Sequence, residues 1–382
     1  MKQSILLILI ILALLLTACG APTPAEPEAP ESPAPVETAT PEPEPKPESN
    51  LIGISAGRDL SDTIAMKDHL EALGYEVFRQ VYEEDTTLQL TQIKDMIDRG
   101  ARVLIIDSYG CSVSETALDL AKTAGIPVIA DRVLFSDSDA ISYFCSFDYA
   151  SAGELQGKYI VDTLGLAAAG DETFDIEFFC GDINYQDNAI FFDSMMDVLS
   201  PYLNAGILRC PSGQITAEPA SSGGGDYEVF LARLENILSE YYDSSYPDVI
   251  VCTDDGLAFN ISSFLEQYQF ERNEPPEAWP IITGAGGDNI PEIANGAQAM
   301  TINMPLDGLA VAAAQMADKL MQGQEPPIND RETYRNSAGP IPSYLLAPEL
   351  VTKDNWEDYL IECEACALEE AAKGKDDAHY GS

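Results

Sequence analysis

From Leu51 onward, short apolar runs that end abruptly alternate with longer segments of helical period, and this alternation limits the fold more than any other feature. LIGIS (51 to 55) precedes an amphipathic stretch ending in LEALGY, VLIID (103 to 107) precedes SETALDLAKTAG, and IPVIA (126 to 130) leads on to ISYFCSF. The later runs DIEFFC, DVIVC, WPIIT and AMTIN are separated by IFFDSMMDVL, EVFLARLENILSEYY and LAVAAAQMADKLM. A run that is apolar at every position suits a strand buried on both faces, and such strands alternating with helices build parallel sheets covered by helices. The expected class is α/β, with two doubly wound parallel sheets, because 382 residues of 46% hydrophobic content exceed what one core fills. Open sheets of this kind bind ligands outside the carboxyl ends of their strands. The IPVIA run stops at such an end on Asp131 and Arg132, an acid beside a base.

The chain begins differently. Lys2 is followed by an apolar run from Ile5 to Leu16, too short to span a bilayer comfortably and suited to a signal-peptide core. It closes on Leu16-Thr17-Ala18-Cys19, which resembles the lipobox of bacterial lipoproteins; the resemblance implies cleavage before Cys19 and a diacylglycerol anchor on it. Residues 21 to 50 hold ten of the 25 prolines and seven glutamates, a composition that cannot bury enough surface to fold. In polyproline II form, about 3.1 Å per residue, this tether could hold the body up to about 90 Å from a membrane.

Charge narrows the partners. Lys and Arg total 20 against 64 Asp and Glu, a net charge of -44 that repels nucleic acid and anionic lipid and leaves a small neutral or cationic ligand as the better fit.

Several segments between residues 51 and 361 have a further likeness in their order and spacing. HLEALGYEV, TQIKDMIDRGARVLII, AGIPVIADR, FDYASAGELQGKYIVD, DNAIFFDSMMDVL, PPINDRETYRN and PSYLLAPELVTKDNWEDYLI resemble the multiple-sugar-binding and xylose-binding receptors of bacterial ABC transporters. The resemblance implies a type I periplasmic-binding-protein fold, in which two lobes joined by crossover strands close on a monosaccharide, a pentose or hexose, and present it to an ABC-transporter permease. It implies no cofactor and no enzymatic activity, and places the protein at the outer face of the cell membrane. The expected division is a signal peptide (1–18), a lipidated cysteine with its tether (19–50), an N-terminal lobe (51–146 with 284–304), a C-terminal lobe (147–283 with 305–361) and a polar tail (362–382).

The same resemblance places Asp131 and Arg132 on sugar hydroxyls, and the chemistry agrees. A guanidinium offers forked donors to adjacent oxygens while a carboxylate accepts from hydroxyl protons, each charge-assisted bond contributing about 1.5 to 3 kcal/mol. The alternative is an ion pair tying the strand end to its neighbourhood. Asp148, Asn188, Asp254 and Asp255 fall where the family keeps polar contacts, although Asp148 and Asp255 also suit helix caps. Arg58 is placed to reach the cleft, and Asp288 could stand in for an aspartate that GAGGDN otherwise lacks. Departures from the family include Ala130 where an aromatic is usual, Tyr149 and Asp254 where Asn is usual, and no tryptophan in AGRDLSD. A sugar ring also seeks an aromatic plane, for which Tyr109, Phe147, Tyr149 and Tyr185 are the candidates.

Other chemistry finds little support. The chain has two histidines, His69 and His379, and no motif around either for nucleophilic catalysis. The acidic residues are numerous enough that a chance glycosidase-like carboxylate pair is left open. SSGGGD and TGAGGD lack the context of phosphate-binding loops, and the glycines near 284 read as a crossover hinge. Cys145, Cys180, Cys210 and Cys252 lie in or beside apolar runs as buried thiols, while Cys363 and Cys366 form an isolated C-x-x-C. A sensory receptor signalling to a membrane kinase or chemoreceptor would use the same lobes and is the second functional reading.

Overall fold

The computed structural model describes residues 49–108, 112–135, 137–221, 227–242, 245–272 and 279–359. The signal segment, Cys19, most of the tether, Tyr109, Cys111 and the Cys363/Cys366 pair lie outside them.

The described chain opens with β1 (Leu51–Ala56), α1 (Ser61–Ala72), β2 (Glu76–Val81), α2 (Thr86–Asp98), β3 (Val103–Asp107), α3 (Glu115–Thr123), β4 (Val128–Asp131) and β5 (Tyr143–Phe147). It continues with α4 (Tyr149–Thr163), β6 (Phe174–Phe179), α5 (Gln186–Ala205), β7 (Leu208–Arg209), α6 (Ala217–Ala220), α7 (Tyr227–Tyr241), β8 (Val249–Cys252), α8 (Asp255–Arg272), β9 (Ile281–Thr283), α9 (Ile290–Asn295) and β10 (Met300–Asn303). Then follow α10 (Leu306–Met321), a short hairpin of β11 (Arg335–Asn336) and β12 (Gly339–Pro340), and finally β13 (Ser343–Leu346) and β14 (Glu349–Thr352).

Two six-stranded sheets result, in the orders β13-β5-β4-β3-β1-β2 and β14-β10-β9-β8-β6-β7. All pairings within the first are parallel, and the second departs from parallel at β14. The apolar runs become the central strands because every residue of β1, β3 and β4 is buried, as burial on both faces requires. Side-chain caps start several helices: Asp85 accepts from Thr87 N and Leu88 N at 2.9 Å, and Ser114 accepts from Ala117 N at 3.3 Å.

Each sheet is covered on both faces. Ile54, Ile105 and Ile129 pack with Met66 and Leu70 of α1 and with Leu309, Ala313, Met316 and Ala317 of α10. Leu104, Ile106 and Val128 face Ile93, Met96 and Leu118 of α2 and α3. On the second sheet, Ile176 and Phe178 meet Ile160, Phe192 and Met195 of α4 and α5, while Phe179 and Ile250 meet Phe230, Leu234 and Ile261 of α7 and α8.

Helices α4 and α5 touch closely at Gly153, where an added Cβ would come within 2.1 Å of Phe191 O and 3.0 Å of Met195 N. Both atoms are backbone and cannot yield as a side chain would. Gly153→Ala is expected to destabilise the protein by about 2 to 3 kcal/mol, the cost of overpacking a filled contact. Chemical denaturation of the two proteins measures it.

Three segments carry the chain between the sheets: 147–149, 303–306 and 346–349. Asp148 N donates to Leu346 O at 2.8 Å, joining two of them side by side. The observed course corrects the expected lobe division. Residues 284–304 were expected in the first lobe, yet β10 pairs with β9 and, antiparallel, with β14 in the second sheet. It is α10, the hairpin and β13, within the stretch expected in the second lobe, that return to the first. The alanine-rich face of α10 explains the return, since its small residues let the helix lie close against α1 and the β1–β3–β4 surface.

The glycines near 284 are likewise not a crossover hinge. They form the loop leaving β9, inside the second lobe, with Gly286 bridged to Asn303. Gly287 has φ 84°, and a Cβ there would meet Asn303 Oδ1 at 2.3 Å, so the loop's close approach to β10 requires glycine.

Candidate functional site

Parallel register sets Asp107 opposite Asp131, so two apolar strands end in neighbouring carboxylates on the α1/α10 face of the first sheet. The next residue, Arg132, adopts φ 61°, a left-handed conformation that costs an L-residue about 1 to 3 kcal/mol. Its backbone is held there by Arg132 N donating to Cys145 O at 2.9 Å and Ser146 Oγ donating to Arg132 O at 3.1 Å. The turn directs the guanidinium to Asp107 Oδ2 at 2.8 Å and to Asp62 Oδ2, in the first turn of α1, at 3.0 Å. Arg132, Asp62 and Asp107 are all buried.

Asp131 is 1% exposed, and neither of its carboxyl oxygens has a hydrogen-bond partner. Burial raises its pKa well above the usual carboxylate range; Asp107 and Asp62 raise it further, and Arg132 opposes them. The ion pair considered as an alternative for Arg132 therefore exists, but its partners are Asp107 and Asp62. Sequence reasoning missed both, although Asp107 ends VLII as Asp131 ends IPVIA, and that shared pattern was a readable signal.

The carboxyl ends of the second sheet carry their own acids. Asp255 is 2% exposed; its Oδ1 accepts from Gln298 Nε2 at 2.8 Å, and its Oδ2 accepts from Thr301 Oγ1 at 2.8 Å and Asp288 N at 2.9 Å. Asn289 Nδ2 also donates to the Asp255 carbonyl at 2.6 Å. Asp255 thus knits the ends of β8, β9 and β10 together. Asp254 Oδ1 accepts from Leu257 N at 2.8 Å at the start of α8, and burial raises its pKa. Asp288 is raised too, by burial and then by Asp255.

Asp148 caps α4, accepting from Ser151 N at 2.9 Å and Ser151 Oγ at 2.7 Å. Asn188 Nδ2 donates to Asp182 O at 2.8 Å, fixing the loop after β6. Arg58 lies at the exposed rim, paired with Glu84 at 3.0 Å. Phe147 is buried in the core with the Tyr149 ring edge-on at 6.4 Å, whereas Tyr185 is 40% exposed. The structure therefore gathers Asp131, Arg132 and the missed Asp62 and Asp107 at one strand end, and Asp254, Asp255 and Asp288 at another.

The amino end of α5, in the second lobe, also meets the first. Gln186 Nε2 donates to Arg335 O at 3.0 Å, and Ile190 packs against the α2/α3-side core. Asp187 faces the buried Tyr334 hydroxyl, near which Asp148 and Tyr149 also lie. Burial pushes the Asp187 pKa up to about 7, with the neighbouring Tyr334 hydroxyl opposing. A carboxyl that holds its proton more tightly when folded favours the folded state in acid. Its ionisation costs stability increasingly as pH rises from about 4 to about 7. Asp187→Asn removes that cost, so the variant is expected to gain on the parent by about 2 to 4 kcal/mol between those limits, read from thermal unfolding across the pH range.

Comparison with known proteins agrees with this architecture. The profile of the family described as "Periplasmic binding protein domain" matches residues 62–325. This chain belongs to the periplasmic binding protein family. Among its relatives, the multiple sugar-binding periplasmic receptor ChvE of Rhizobium radiobacter is 33% identical over 310 residues, covering 81% of this chain and 87% of that one. The D-xylose-binding periplasmic protein of Escherichia coli (strain K12) is 32% identical over 295 residues, covering 76% and 82%. A solved ABC transporter solute binding protein from Clostridium phytofermentans, with bound beta-D-glucose, superposes with a TM-score of 0.71 at 33% identity, covering 82% of this chain and 97% of that one. The expected type I fold is thereby shown.

Proposed function

We propose that this periplasmic binding protein is a membrane-tethered receptor that captures a monosaccharide between its lobes and hands it to an ABC-transporter permease. The observation that carries the reading is the Asp131–Arg132 strand end, a buried carboxyl without hydrogen bonds beside a guanidinium, in a fold whose relatives at about one-third identity are named for sugar binding. The carboxylate accepts from sugar hydroxyls, the guanidinium donates to ring or hydroxyl oxygens, and the acids of the second lobe meet the opposite edge. Closure then removes these bonds from water, where they are stronger. Binding needs no chemistry at the sugar, so the protein acts as a carrier and not as an enzyme.

The tether reading rests on Leu16-Thr17-Ala18-Cys19 and the proline-rich segment behind it. No described helix is long and apolar enough to cross a membrane. A thermal-shift screen of the purified protein against pentoses and hexoses tests capture, because a ligand at one hundred times its dissociation constant stabilises the folded state by about 2.7 kcal/mol. Absence of any shift across the panel would overturn it. Intact mass of protein made with its leader tests the tether, with an unmodified Cys19 on the mature chain as the overturning result.

A further inference from the structure

We propose that the ligand is a monosaccharide bearing an ammonium group, an amino sugar, whose cation is held at Asp131. This deepens the receptor reading and rests on it. Asp62, Asp107 and Asp131 are clustered around one guanidinium, and Arg132 already forms ion pairs with the first two. Asp131 remains, 1% exposed, with both oxygens lacking donors. A neutral hydroxyl can donate to such a carboxyl, but it brings no charge to offset the one that ionised Asp131 would add to two carboxylates already sharing a single guanidinium. An ammonium group supplies three donors and a positive charge together.

The surroundings have the same sign. Among the described residues one or two positions past the carboxyl ends of the parallel strands, the bases are Arg58 and Arg132, and there is no lysine. Arg58 is engaged by Glu84 at the exposed rim. The acids in the segments that leave those ends include Asp148, Asp182, Asp254, Asp255 and Asp288. A low-dielectric cleft lined by one sign of charge concentrates ligands of the other.

In the free protein, burial makes Asp131 hold its proton more tightly than an ordinary carboxyl does. An ammonium group would take that proton's place, so binding an amino sugar releases a proton to solvent. Affinity for the amine must then rise with pH while the amine stays charged, and more steeply than affinity for a neutral sugar, which gains an acceptor from that ionisation but no charge pair.

The test is calorimetric titration of the full-length protein with matched pairs: glucosamine and glucose, galactosamine and galactose, mannosamine and mannose. N-acetylglucosamine serves as an uncharged control. The expected result is at least tenfold tighter binding of one amino sugar than of its neutral partner at pH 6.5, an advantage that widens from pH 5 to pH 7. In Asp131→Asn the preference should shrink to within about threefold of unity. Should that variant fail to fold, the pH series on the parent protein carries the same test. A neutral sugar that binds as tightly as its amine, or an advantage flat with pH, overturns this inference and leaves the sugar receptor standing. A preference that survives in folded Asp131→Asn overturns the assignment to Asp131. No binding by either member of any pair overturns the receptor reading as well.

Discussion

Replacing Arg132 by alanine is expected to lower ligand affinity by about a hundredfold or more and to destabilise the free protein by about 3 to 5 kcal/mol. The two losses have one origin. The guanidinium holds Asp107 and Asp62 at 2.8 and 3.0 Å in a buried site, so its removal leaves two carboxylates with no cation, an arrangement far costlier than never having built the pair. The affinity loss follows from forfeiting about two charge-assisted bonds of about 1.5 to 3 kcal/mol each. Arg132→Lys separates the effects: lysine keeps the charge but not the planar fork, so stability should recover more than affinity does. Urea unfolding and calorimetric titration of the three proteins decide it. Wild-type affinity in folded Arg132→Ala would mean that the ligand does not meet this strand end.

Asp255→Ala is expected to cost about 3 to 5 kcal/mol, although Asp255 was read from sequence as a ligand contact or a helix cap. Its carboxylate accepts from Gln298, Thr301 and the Asp288 backbone, and alanine would leave those buried donors without an acceptor. Gly284 makes the packing plain, since a Cβ there would lie 2.2 Å from Asp255 Oδ1. Asp255→Asn keeps the shape and one acceptor oxygen and should lose about half as much. Denaturant midpoints give the stability; a midpoint in Asp255→Ala equal to that of the parent would remove Asp255 from its structural role.

The legible part of the fold was the part written in uninterrupted apolar runs. VLIID, DIEFFC, DVIVC and AMTIN correspond to β3, β6, β8 and β10 because a strand buried on both faces admits little else. EVFRQV did not read as a strand because β2 is an edge with no fully buried position and includes Arg79 and Gln80. Nor could the runs say which sheet each would join. AMTIN and VLIID are both apolar runs with buried centres, yet they lie in different lobes, and the decision lies in long-range pairing with β14 and in the small-residue face of α10.

The site divides in the same way. Asp131 and Arg132 stand out because charge interrupts an apolar run, but the partners of Arg132 are 70 and 25 positions away in sequence (132 − 62 and 132 − 107) and meet it only through parallel register and the seating of α1. Asp187 and Tyr334, likewise, are neighbours only once the two lobes meet.

The threefold passage of the chain between lobes bears on how the protein is made. β13 and β14, one at the margin of each sheet, are contributed by residues 343–352, so a chain emerging amino end first holds two unfinished sheets until its last strands arrive. Each bares a row of backbone donors and acceptors of the kind that invites pairing with other chains. Neither half is a separable cassette. The cell that makes this protein must therefore shield its whole length before either lobe can close its edge.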